Sequence, residues 1–310
     1  MQQYSWLLFF SFLGFLAVFK VIFTFLKWVF ITFLRPSKNL KNYGSWALIT
    51  GATDGIGKAF AFQLAQKGLC LILVSRNLAK LEEVSKDIIS VHPTTKIKIF
   101  VVDFSGENVV ARVKEMQEVI DDEKLDVGLL INNVGVTYPV ASYFHEVGEE
   151  VWMKVMNVNV IGTSLVTKAV IQGMVERKRG AIVNLGSGAA IVVPSHPLYA
   201  IYAASKAYID QLSRCLHVEY KHLGIDVQCQ VPLYVSTKMA SQVAFVEKSS
   251  LFIPTADDYV KAAIRQIGYE SRCTPYWGHS VQWFFASLAP DSFLDAWRLS
   301  IGIRRKGRYQ

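Results

Sequence analysis

The most constraining feature of this chain is a glycine-rich turn between an apolar run and a helical pattern. The apolar run begins at Trp46, the glycines are Gly51, Gly55 and Gly57, and the helical pattern begins at Lys58. The first glycine permits a tight turn, the second lets backbone N–H groups approach a pyrophosphate, and the third lets a helix pack closely on a sheet. This order of strand, turn and helix predicts a dinucleotide-binding unit. The predicted cofactor-binding residues of the turn are Gly51, Thr53, Asp54, Gly55, Ile56 and Gly57.

Apolar runs typical of strands alternate with helical patterns through the middle of the chain. This alternation predicts an α/β fold, with a Rossmann-type, doubly wound parallel sheet in a single domain. The 310 residues, 52% of them hydrophobic, suffice for one large domain plus additional apolar material. The predicted strands are 46–50, 70–75, 97–104, 127–132, 181–186 and 226–232.

Tyr202 and Lys206 lie four positions apart, so one helical turn would place a phenol beside an ammonium. A free phenol has a pKa of about 10. An ammonium about 4 Å away in a half-buried site contributes about 4 kcal/mol at an effective dielectric constant of roughly 20. We therefore expect Lys206 to lower the pKa of Tyr202 and to make it a competent general acid for a carbonyl substrate.

Together these motifs resemble those of the short-chain dehydrogenase/reductase family. The family's glycine pattern is matched from Thr50 to Gly57, and further matches follow in family order over roughly residues 45 to 240. These further matches are Asp103, Asn132-Asn-Val-Gly135, Asn159, Ser187, Tyr202 and Lys206.

The resemblance implies a role for each matched catalytic residue. Ser187 would hold the substrate carbonyl, and Tyr202 would give the proton. Lys206 would bind the nicotinamide ribose, and Asn159 would organise a proton-relay water. On the cofactor side, the resemblance implies that Asp103 contacts the adenine. The remaining cofactor contacts it implies are Asn132 beside the adenosine ribose, Ser75, Arg76, Tyr202, Lys206 and Val235.

Within that family the chain most resembles membrane-bound very-long-chain 3-oxoacyl-CoA reductases of the plant type, and their relatives among the hydroxysteroid dehydrogenases. The residues that carry this resemblance are Arg35-Pro-Ser-Lys-Asn39, Tyr43-Gly-Ser-Trp-Ala47, Phe144-His-Glu-Val147, Gly186-Ser-Gly-Ala189, Cys215-Leu-His-Val-Glu-Tyr220, Gln228-Cys-Gln-Val-Pro-Leu-Tyr-Val235 and Cys273-Thr-Pro-Tyr-Trp277. The resemblance implies NADPH-dependent reduction of a long-chain 3-oxoacyl-CoA in fatty-acid elongation. It further implies membrane lipid and other elongase subunits as partners.

Three positions depart from the general family pattern. Val134 stands where alanine is usual, and Leu233 follows Pro232 where glycine is usual. Ser187 precedes Tyr202 by 15 positions (202 − 187), about two more than usual in the family, and two prolines in 194–197 predict an irregular bulge there. Since overpacking beside a cofactor costs roughly 1–3 kcal/mol, Val134 is the departure most able to reduce activity.

The end of the second predicted strand indicates the type of cofactor. Sites that prefer NAD usually place an acid there to bind the ribose hydroxyls, whereas this chain has Ser75 and Arg76. A 2′-phosphate would pair with Arg76, although a solvated surface arginine is the alternative. The sequence therefore favours NADPH.

The N-terminus carries a segment able to cross a membrane. From Trp6 to Leu26 the chain is almost wholly apolar, and 21 helical residues span about 31 Å, the thickness of a bilayer core. No basic n-region precedes it and no small-residue cleavage site follows, which favours a retained anchor over a signal peptide. The basic residues just after the run predict a cytosolic catalytic domain. These residues are Lys27, Arg35, Lys38 and Lys41. The resemblance implies that the membrane is that of the endoplasmic reticulum.

The formal charge of +8 does not indicate nucleic-acid binding, because the basic residues gather beside the anchor and in the tail rather than in a groove-reading module. Lipid headgroups or coenzyme A phosphates account for the same charge. The four cysteines form no C-x-x-C pair and no metal-ligand spacing, so we predict reduced thiols and no metal.

The chain divides into a predicted anchor and linker (1–44), an NADP-binding core (45–240) and a C-terminal extension (241–310). In the extension, Thr255 predicts a helix start, with an acid three positions on. The aromatic stretch 277–289 is equally typical of core packing, of contact with a membrane surface, or of the lining for an acyl chain. The basic tail 304–310 would face anionic lipid.

Two other functions remain open from sequence. One is reduction of steroid or other lipid carbonyls, because the same acid and cofactor serve any such group. The other is a weakly active NADP-binding partner within an elongation complex, which Val134 and the Ser187 to Tyr202 spacing motivate.

Overall fold

The computed structural model describes residues 2–246 and 248–308, with side chains from Trp6 onward. The last two residues of the predicted basic tail 304–310, Tyr309 and Gln310, lie outside the described residues. By internal contacts the chain forms two compact units, Met1–Ser37 and Lys38–Gln310, so residues 241–308 belong to the same unit as the sheet.

The first unit is a long apolar helix. Helix α1 (Gln2–Val29) continues through a π-helical turn at Phe30–Leu34. The segment Trp6–Leu34 has a mean hydropathy of 2.3 and buries none of its length, so it is long and apolar enough to cross a membrane. A second stretch, Glu149–Glu176, is also long and apolar enough, but half of it is buried, as expected of a core helix.

The second unit is built on a seven-stranded sheet in which every pairing is parallel. The strand order is β3-β2-β1-β4-β5-β6-β7, which is the doubly wound order. The predicted Rossmann-type fold is therefore confirmed. The strands are β1 (Trp46–Thr50), β2 (Cys70–Ser75), β3 (Ile97–Val101), β4 (Val127–Asn132), β5 (Gly180–Leu185), β6 (Ile225–Gln230) and β7 (Arg272–Cys273).

Helices cover both faces of this sheet. One apolar cluster packs β1 and β2 against α2, α3 and α10, and another packs the opposite face against α4 and α6. The helices of this unit are α2 (Gly55–Gln66), α3 (Leu78–Val91), α4 (Val109–Asp122), α5 (Glu149–Met156), α6 (Thr163–Glu176), α7 (Gly188–Ile191), α8 (Ala200–Tyr220), α9 (Lys238–Ala244), α10 (Ala256–Gln266), α11 (Trp277–Leu288) and α12 (Asp291–Lys306).

Local details agree with most sequence predictions. The Thr255 hydroxyl accepts a hydrogen bond from the Asp258 N–H at 3.1 Å and caps α10 as predicted. Residues 192–199 contain no helix or strand, which confirms the irregular bulge between Ser187 and Tyr202. The prediction for the third strand was too long, because the strand ends at Val101 and leaves Asp103 in the following loop.

Candidate active site

The turn between β1 and α2 has the geometry that its glycines predict. Gly51 lies at φ +65° and donates a hydrogen bond from its N–H to the Val74 carbonyl oxygen at 2.8 Å. A Cβ added at Gly57 would lie 2.1 Å from the Gly51 carbonyl oxygen, so no side chain fits there. Asp54 caps α2 by accepting from the Gly55 N–H at 2.8 Å. The N-terminus of α2 therefore opens at the carboxyl end of β1, where an anionic pyrophosphate is favoured.

A continuous cavity of about 1010 Å³ runs from this turn along the carboxyl ends of the strands. It lies where the strand order reverses between β1 and β4, the usual place for a dinucleotide in such sheets. Of the predicted site residues, the cavity wall contains Gly51, Thr53, Asp54, Gly55, Ile56, Ser75, Arg76, Asp103, Tyr202 and Lys206. Gly57 lies beneath the turn, as its packing role requires.

One end of the cavity is cationic. Arg76 is exposed directly after β2, Lys80 lies in the first turn of α3, and both line the cavity. Sequence reasoning missed Lys80. Asp103 accepts hydrogen bonds from Ser105 at 2.9 and 2.7 Å. Burial alone would raise the pKa of Asp103, but the Ser105 hydrogen bonds and the charge of Arg76 lower it.

Two predicted cofactor contacts are not on the cavity wall. Asn132 is buried within the sheet and donates from Nδ2 to the Thr167 hydroxyl at 2.9 Å and to the Asn184 amide oxygen at 2.8 Å. The next residue, Asn133, lines the cavity instead. The prediction for Asn132 was wrong because β4 extends through this residue, whose side chain then points into the layer beside the sheet. Val235 is likewise buried in an apolar cluster, where it contributes packing.

Tyr202 and Lys206 line the other end of the cavity, and Ser187 lies beside Tyr202, although Ser187 itself is not on the cavity wall. Ser187 caps the short helix α7, and its hydroxyl is hydrogen-bonded to the Tyr202 hydroxyl. Lys206 lies one turn further along α8 and donates from Nζ to the Leu185 carbonyl oxygen at 2.8 Å. The carboxyl end of β5 therefore fixes both the serine and the lysine beside the tyrosine.

The electrostatics of the tyrosine differ from the sequence expectation. Burial raises the pKa of Tyr202, the hydrogen bond with Ser187 opposes this, and the nearby Tyr234 adds to it. Lys206 is not among these causes, and burial lowers its own pKa to about 8. The expected lowering by Lys206 is therefore not found in this structure, where burial is the largest influence on the pKa of each side chain.

Asn159 lies in a π-helical turn (Asn157–Gly162) between α5 and α6. Its amide donates to the Val136 carbonyl oxygen and to the Ser205 hydroxyl, each at 2.9 Å, and its Oδ1 accepts from the Val136 N–H at 2.8 Å. The side chain therefore links the loop after β4 to α8. Its contribution to a proton-relay water stays a prediction.

Sequence reasoning missed how the loop after β6 is held without the usual glycine. His279 of α11 is fully buried and accepts at Nδ1 from the Leu233 N–H at 3.3 Å. Its Nε2 lies 3.0 Å from the Tyr234 carbonyl oxygen and, in the tautomer this pairing requires, donates to it. Burial lowers the pKa of His279 to about 4, although the Tyr234 carbonyl opposes this. A neutral imidazole thus bridges the loop.

The comparisons with known proteins agree with this geometry. A family model described as short chain dehydrogenase matches residues 45–246. The chain belongs to the short-chain dehydrogenase family. It is an oxidoreductase of that family with a nicotinamide cofactor, and Asn133, Tyr202 and Lys206 line the cavity in which that cofactor fits.

Similar members of this family carry different names. A very-long-chain 3-oxoacyl-CoA reductase-like protein of Arabidopsis thaliana is 58% identical over 98% of this chain and 97% of its own length. An inactive hydroxysteroid dehydrogenase-like protein 1 of Homo sapiens is 42% identical over 84% of this chain and 77% of its own. The solved structure of a short-chain dehydrogenase from Sphingobium yanoikuyae in complex with NADPH is 25% identical, covers 81% of this chain and 95% of its own, and has a TM-score of 0.66.

Proposed function

We propose that this short-chain dehydrogenase uses NADPH to reduce a very-long-chain 3-oxoacyl-CoA to the 3-hydroxyacyl-CoA in fatty-acid elongation. The observation that carries the proposal is that Tyr202 and Lys206 line one cavity, with Ser187 beside Tyr202, in a chain 58% identical to a plant relative of that name. The substrate class follows from the relative's name, and the reaction type follows from the side chains.

The chemistry requires a hydride and a proton at the two ends of one carbonyl bond. Bound NADPH supplies the hydride to the C3 carbon of the substrate. The Ser187 hydroxyl would donate to the carbonyl oxygen and orient it. Tyr202 would then transfer its phenolic proton to that oxygen, which completes the alcohol. The raised pKa of Tyr202 keeps this proton on the phenol at neutral pH until a carbonyl oxygen is there to receive it.

Lys206 would complete the site from the cofactor side. A Cβ added at Gly135 would lie 3.3 Å from the Lys206 ammonium. Because glycine has no Cβ, this wall of the cavity stays open beside the charge. The Lys206 ammonium would hold the nicotinamide ribose and stabilise the phenolate that Tyr202 leaves after proton transfer. The side chain of Val134 lines the same wall and packs against the apolar cluster beneath it.

NADPH is proposed as the coenzyme from the charge at the far end of the cavity. Arg76 and Lys80 line this end, and the strand β2 finishes at Ser75 rather than at an acid. A guanidinium binds a phosphate through two parallel hydrogen bonds, which a ribose hydroxyl cannot reproduce. We therefore assign Arg76 to the 2′-phosphate.

We propose that the protein is held at the endoplasmic reticulum membrane, with its catalytic unit in the cytosol. Support comes from the long apolar segment Trp6–Leu34, in which no residue is buried, and from the basic residues that follow it. In the C-terminal region, α11 and α12 leave four large apolar side chains 60–67% exposed, which argues for lipid contact rather than core packing. These side chains are Phe284, Phe285, Leu288 and Phe293. Other elongase subunits are the partners that this reaction implies.

A second candidate function is a cofactor-binding partner with little activity. The observation that favours it is the name of the human relative, which is 42% identical and described as inactive. Against it, this chain places Tyr202 and Lys206 on the wall of an open cavity, with Ser187 beside Tyr202.

Turnover of the purified full-length protein in detergent separates these functions. NADPH oxidation is measured with a long-chain 3-oxoacyl-CoA and with a ketosteroid, and each assay is repeated with NADH. The proposal requires saturable turnover that is higher with the 3-oxoacyl-CoA and with NADPH. Absence of turnover with NADPH bound would favour the partner role, and preference for the ketosteroid would favour a steroid reductase.

A further inference from the structure

The inward face of the C-terminal helix α12 places two arginines beside the bulge before Tyr202 and the loop after β6. Arg298 is only 8% exposed, and Arg305 lies half-buried two turns further along. The sequence indicated a basic tail, but it did not indicate that part of this charge is turned inward.

Arg298 is buried among groups that carry no negative charge. Its Nη2 lies 2.6 Å from His196 Nδ1, and its guanidinium is also hydrogen-bonded to the Tyr234 hydroxyl. Its Nε has no hydrogen-bond partner in the described part of the chain. Burial, followed by the charges of Arg298 and Arg305, lowers the pKa of His196 to about 3, so this imidazole is neutral and cannot add to the repulsion.

Arg305 completes the cluster from the solvent side. Its Nη2 donates to the Tyr234 hydroxyl at 2.9 Å, and its guanidinium lies 5.6 Å from the centre of the same ring. Burial would raise the pKa of Tyr234, but the two arginines more than offset this and lower it. One phenol is thus flanked by two guanidinium groups.

The nearby carboxylates are engaged elsewhere. Glu146 forms an ion pair with Lys306, and Asp295 accepts a hydrogen bond from Ser195. Within residues 2–246 and 248–308, neither Arg298 nor Arg305 has a carboxylate partner. An arginine is rarely buried unless it is paired, because an uncompensated charge loses its hydration without replacement. The cluster therefore has the character of a site for an anion.

The cluster adjoins the proposed reaction centre. Tyr234 is two residues beyond Pro232, which lines the cavity, and it lies near enough to Tyr202 to affect its ionisation. His196 belongs to the bulge that separates Ser187 from Tyr202. The bulge also forms part of the surface on which α12 packs, where a Cβ at Gly302 would lie 2.9 Å from the Leu198 side chain.

We propose that Arg298 and Arg305 form a phosphate-binding subsite for the coenzyme A part of the substrate. The inference rests on the proposed function, because it takes the substrate to be a coenzyme A thioester. Arg305 and the Tyr234 hydroxyl form the accessible edge, where a guanidinium can bind phosphate through two hydrogen bonds. Arg298 lies behind them and supplies a fixed positive charge that water screens little.

A pair of substrates that differ only in phosphate tests this subsite. The same long 3-oxoacyl chain is presented as the coenzyme A thioester and as the pantetheine thioester, which lacks phosphate. We expect Arg305→Gln to raise KM for the coenzyme A substrate about tenfold or more, with kcat little changed and the pantetheine substrate unaffected. Arg304→Gln is the matched control, since Arg304 is the adjacent residue and is exposed. Its KM ratio for the two substrates should equal that of the parent.

Two further measurements distinguish loss of the subsite from misfolding of the variant and from binding of a lipid phosphate. Arg298→Lys retains the charge and should fold, and it should raise KM for the coenzyme A substrate alone. An unchanged KM ratio in Arg305→Gln would overturn the subsite. Assays in nanodiscs with neutral or anionic phospholipid identify the source of the phosphate. If Arg305→Gln removes an effect of anionic lipid on both substrates alike, the phosphate belongs to a lipid headgroup and the coenzyme A assignment is wrong.

Direct binding separates the subsite from the proposed function. Calorimetry with free coenzyme A should show binding to the parent protein that is at least tenfold weaker in Arg305→Gln. If neither thioester is turned over but this difference in binding is found, the subsite stands and the proposed reaction is wrong. If both thioesters are turned over and coenzyme A binds the two proteins equally, the subsite is wrong and the reaction stands.

Discussion

Lys206 donates a hydrogen bond from Nζ to the main-chain carbonyl oxygen of Leu185 at 2.8 Å. The bond joins the catalytic helix α8 to the carboxyl end of β5 and fixes the ammonium on the cavity wall. Because the lysine is buried there, its pKa falls to about 8. The charge proposed to hold the cofactor ribose is therefore lost within a pH range that is easily reached in an assay.

The first prediction concerns the pH dependence of turnover. Lys206 is cationic below its pKa of about 8 and neutral above it. We expect kcat/KM for NADPH to fall about tenfold per pH unit above pH 8, because this parameter reports ionisations of the free enzyme. The measurement is a profile from pH 6 to 10. The variant Lys206→Met should have low activity throughout and no such decline.

The same ionisation of Lys206 should make the stability of the protein rise with pH over a range in which turnover falls. Between pH 8 and the ordinary lysine value of about 10.5, the unfolded chain holds a proton that the folded chain does not. The free energy of unfolding should therefore gain a favourable contribution from Lys206 as the pH rises through this window. Lys206→Met should lack that contribution, and an identical pH dependence in both proteins would contradict the buried, weakly basic lysine.

The second prediction concerns coenzyme preference. Arg76→Gln should raise KM for NADPH about tenfold to a hundredfold and leave KM for NADH unchanged, because a charge-assisted hydrogen bond contributes about 1.5–3 kcal/mol. Lys80→Gln should act in the same direction. Lys86→Gln is the control, since Lys86 lies exposed on the same helix α3 and does not line the cavity. Equal effects on the two coenzymes would remove Arg76 from the phosphate site.

The glycine turn and the parallel sheet were predictable from sequence, because they depend on local motifs and on regular periodicity. The pairing of Ser187 with Tyr202 was predictable only through the family resemblance, because an irregular segment separates the two residues. The Asn132 contact was not predictable, since one additional strand residue decides which of two adjacent asparagines faces the cavity. The pKa of Tyr202 depends on burial by residues distant in sequence, so spacing from Lys206 gave the wrong direction. The strand Arg272–Cys273 is too short to produce a periodic signal.

The C-terminal region was the least predictable for a similar reason. His279 is isolated in sequence, and only tertiary packing brings its ring between Leu233 and Tyr234. The tail 304–310 appeared uniformly basic, whereas α12 leaves Arg304 exposed and half-buries Arg305, and it buries Arg298 further upstream. A charge count does not distinguish a buried guanidinium from a solvated one.

The third prediction is an acid-sensitive loss of stability through His279. Its pKa of about 4 in the folded chain lies below the usual value of 6.5, so the unfolded chain takes up a proton first as the pH falls. Between pH 6.5 and 5, proton uptake by this imidazole in the unfolded chain should lower the free energy of unfolding by about 2 kcal/mol. His279→Gln, whose amide can bridge the loop without titrating, should lose less stability over this range than the parent in urea denaturation. His222→Gln, at an exposed position, should behave as the parent does.

The fourth prediction concerns the exposed apolar side chains of α11. Phe285 is 64% exposed beside three similar side chains, whereas Val218 on α8 is 75% exposed. With a photoreactive benzoylphenylalanine in nanodiscs, position 285 should cross-link to lipid and position 218 should not. Cross-linking of position 285 to a second protein chain, or no lipid adduct at that position, would contradict lipid contact.

The most direct test of the proposed reaction is the 3-oxoacyl-CoA-dependent oxidation of NADPH by Tyr202→Phe. This change removes only the hydroxyl that gives the proton and leaves the ring in place. We expect kcat to fall by about 10²–10⁴-fold while the affinity for NADPH, followed by its fluorescence, stays at the parental value. A variant that binds NADPH and reduces the 3-oxoacyl-CoA at the parental rate would show that Tyr202 is not the proton donor.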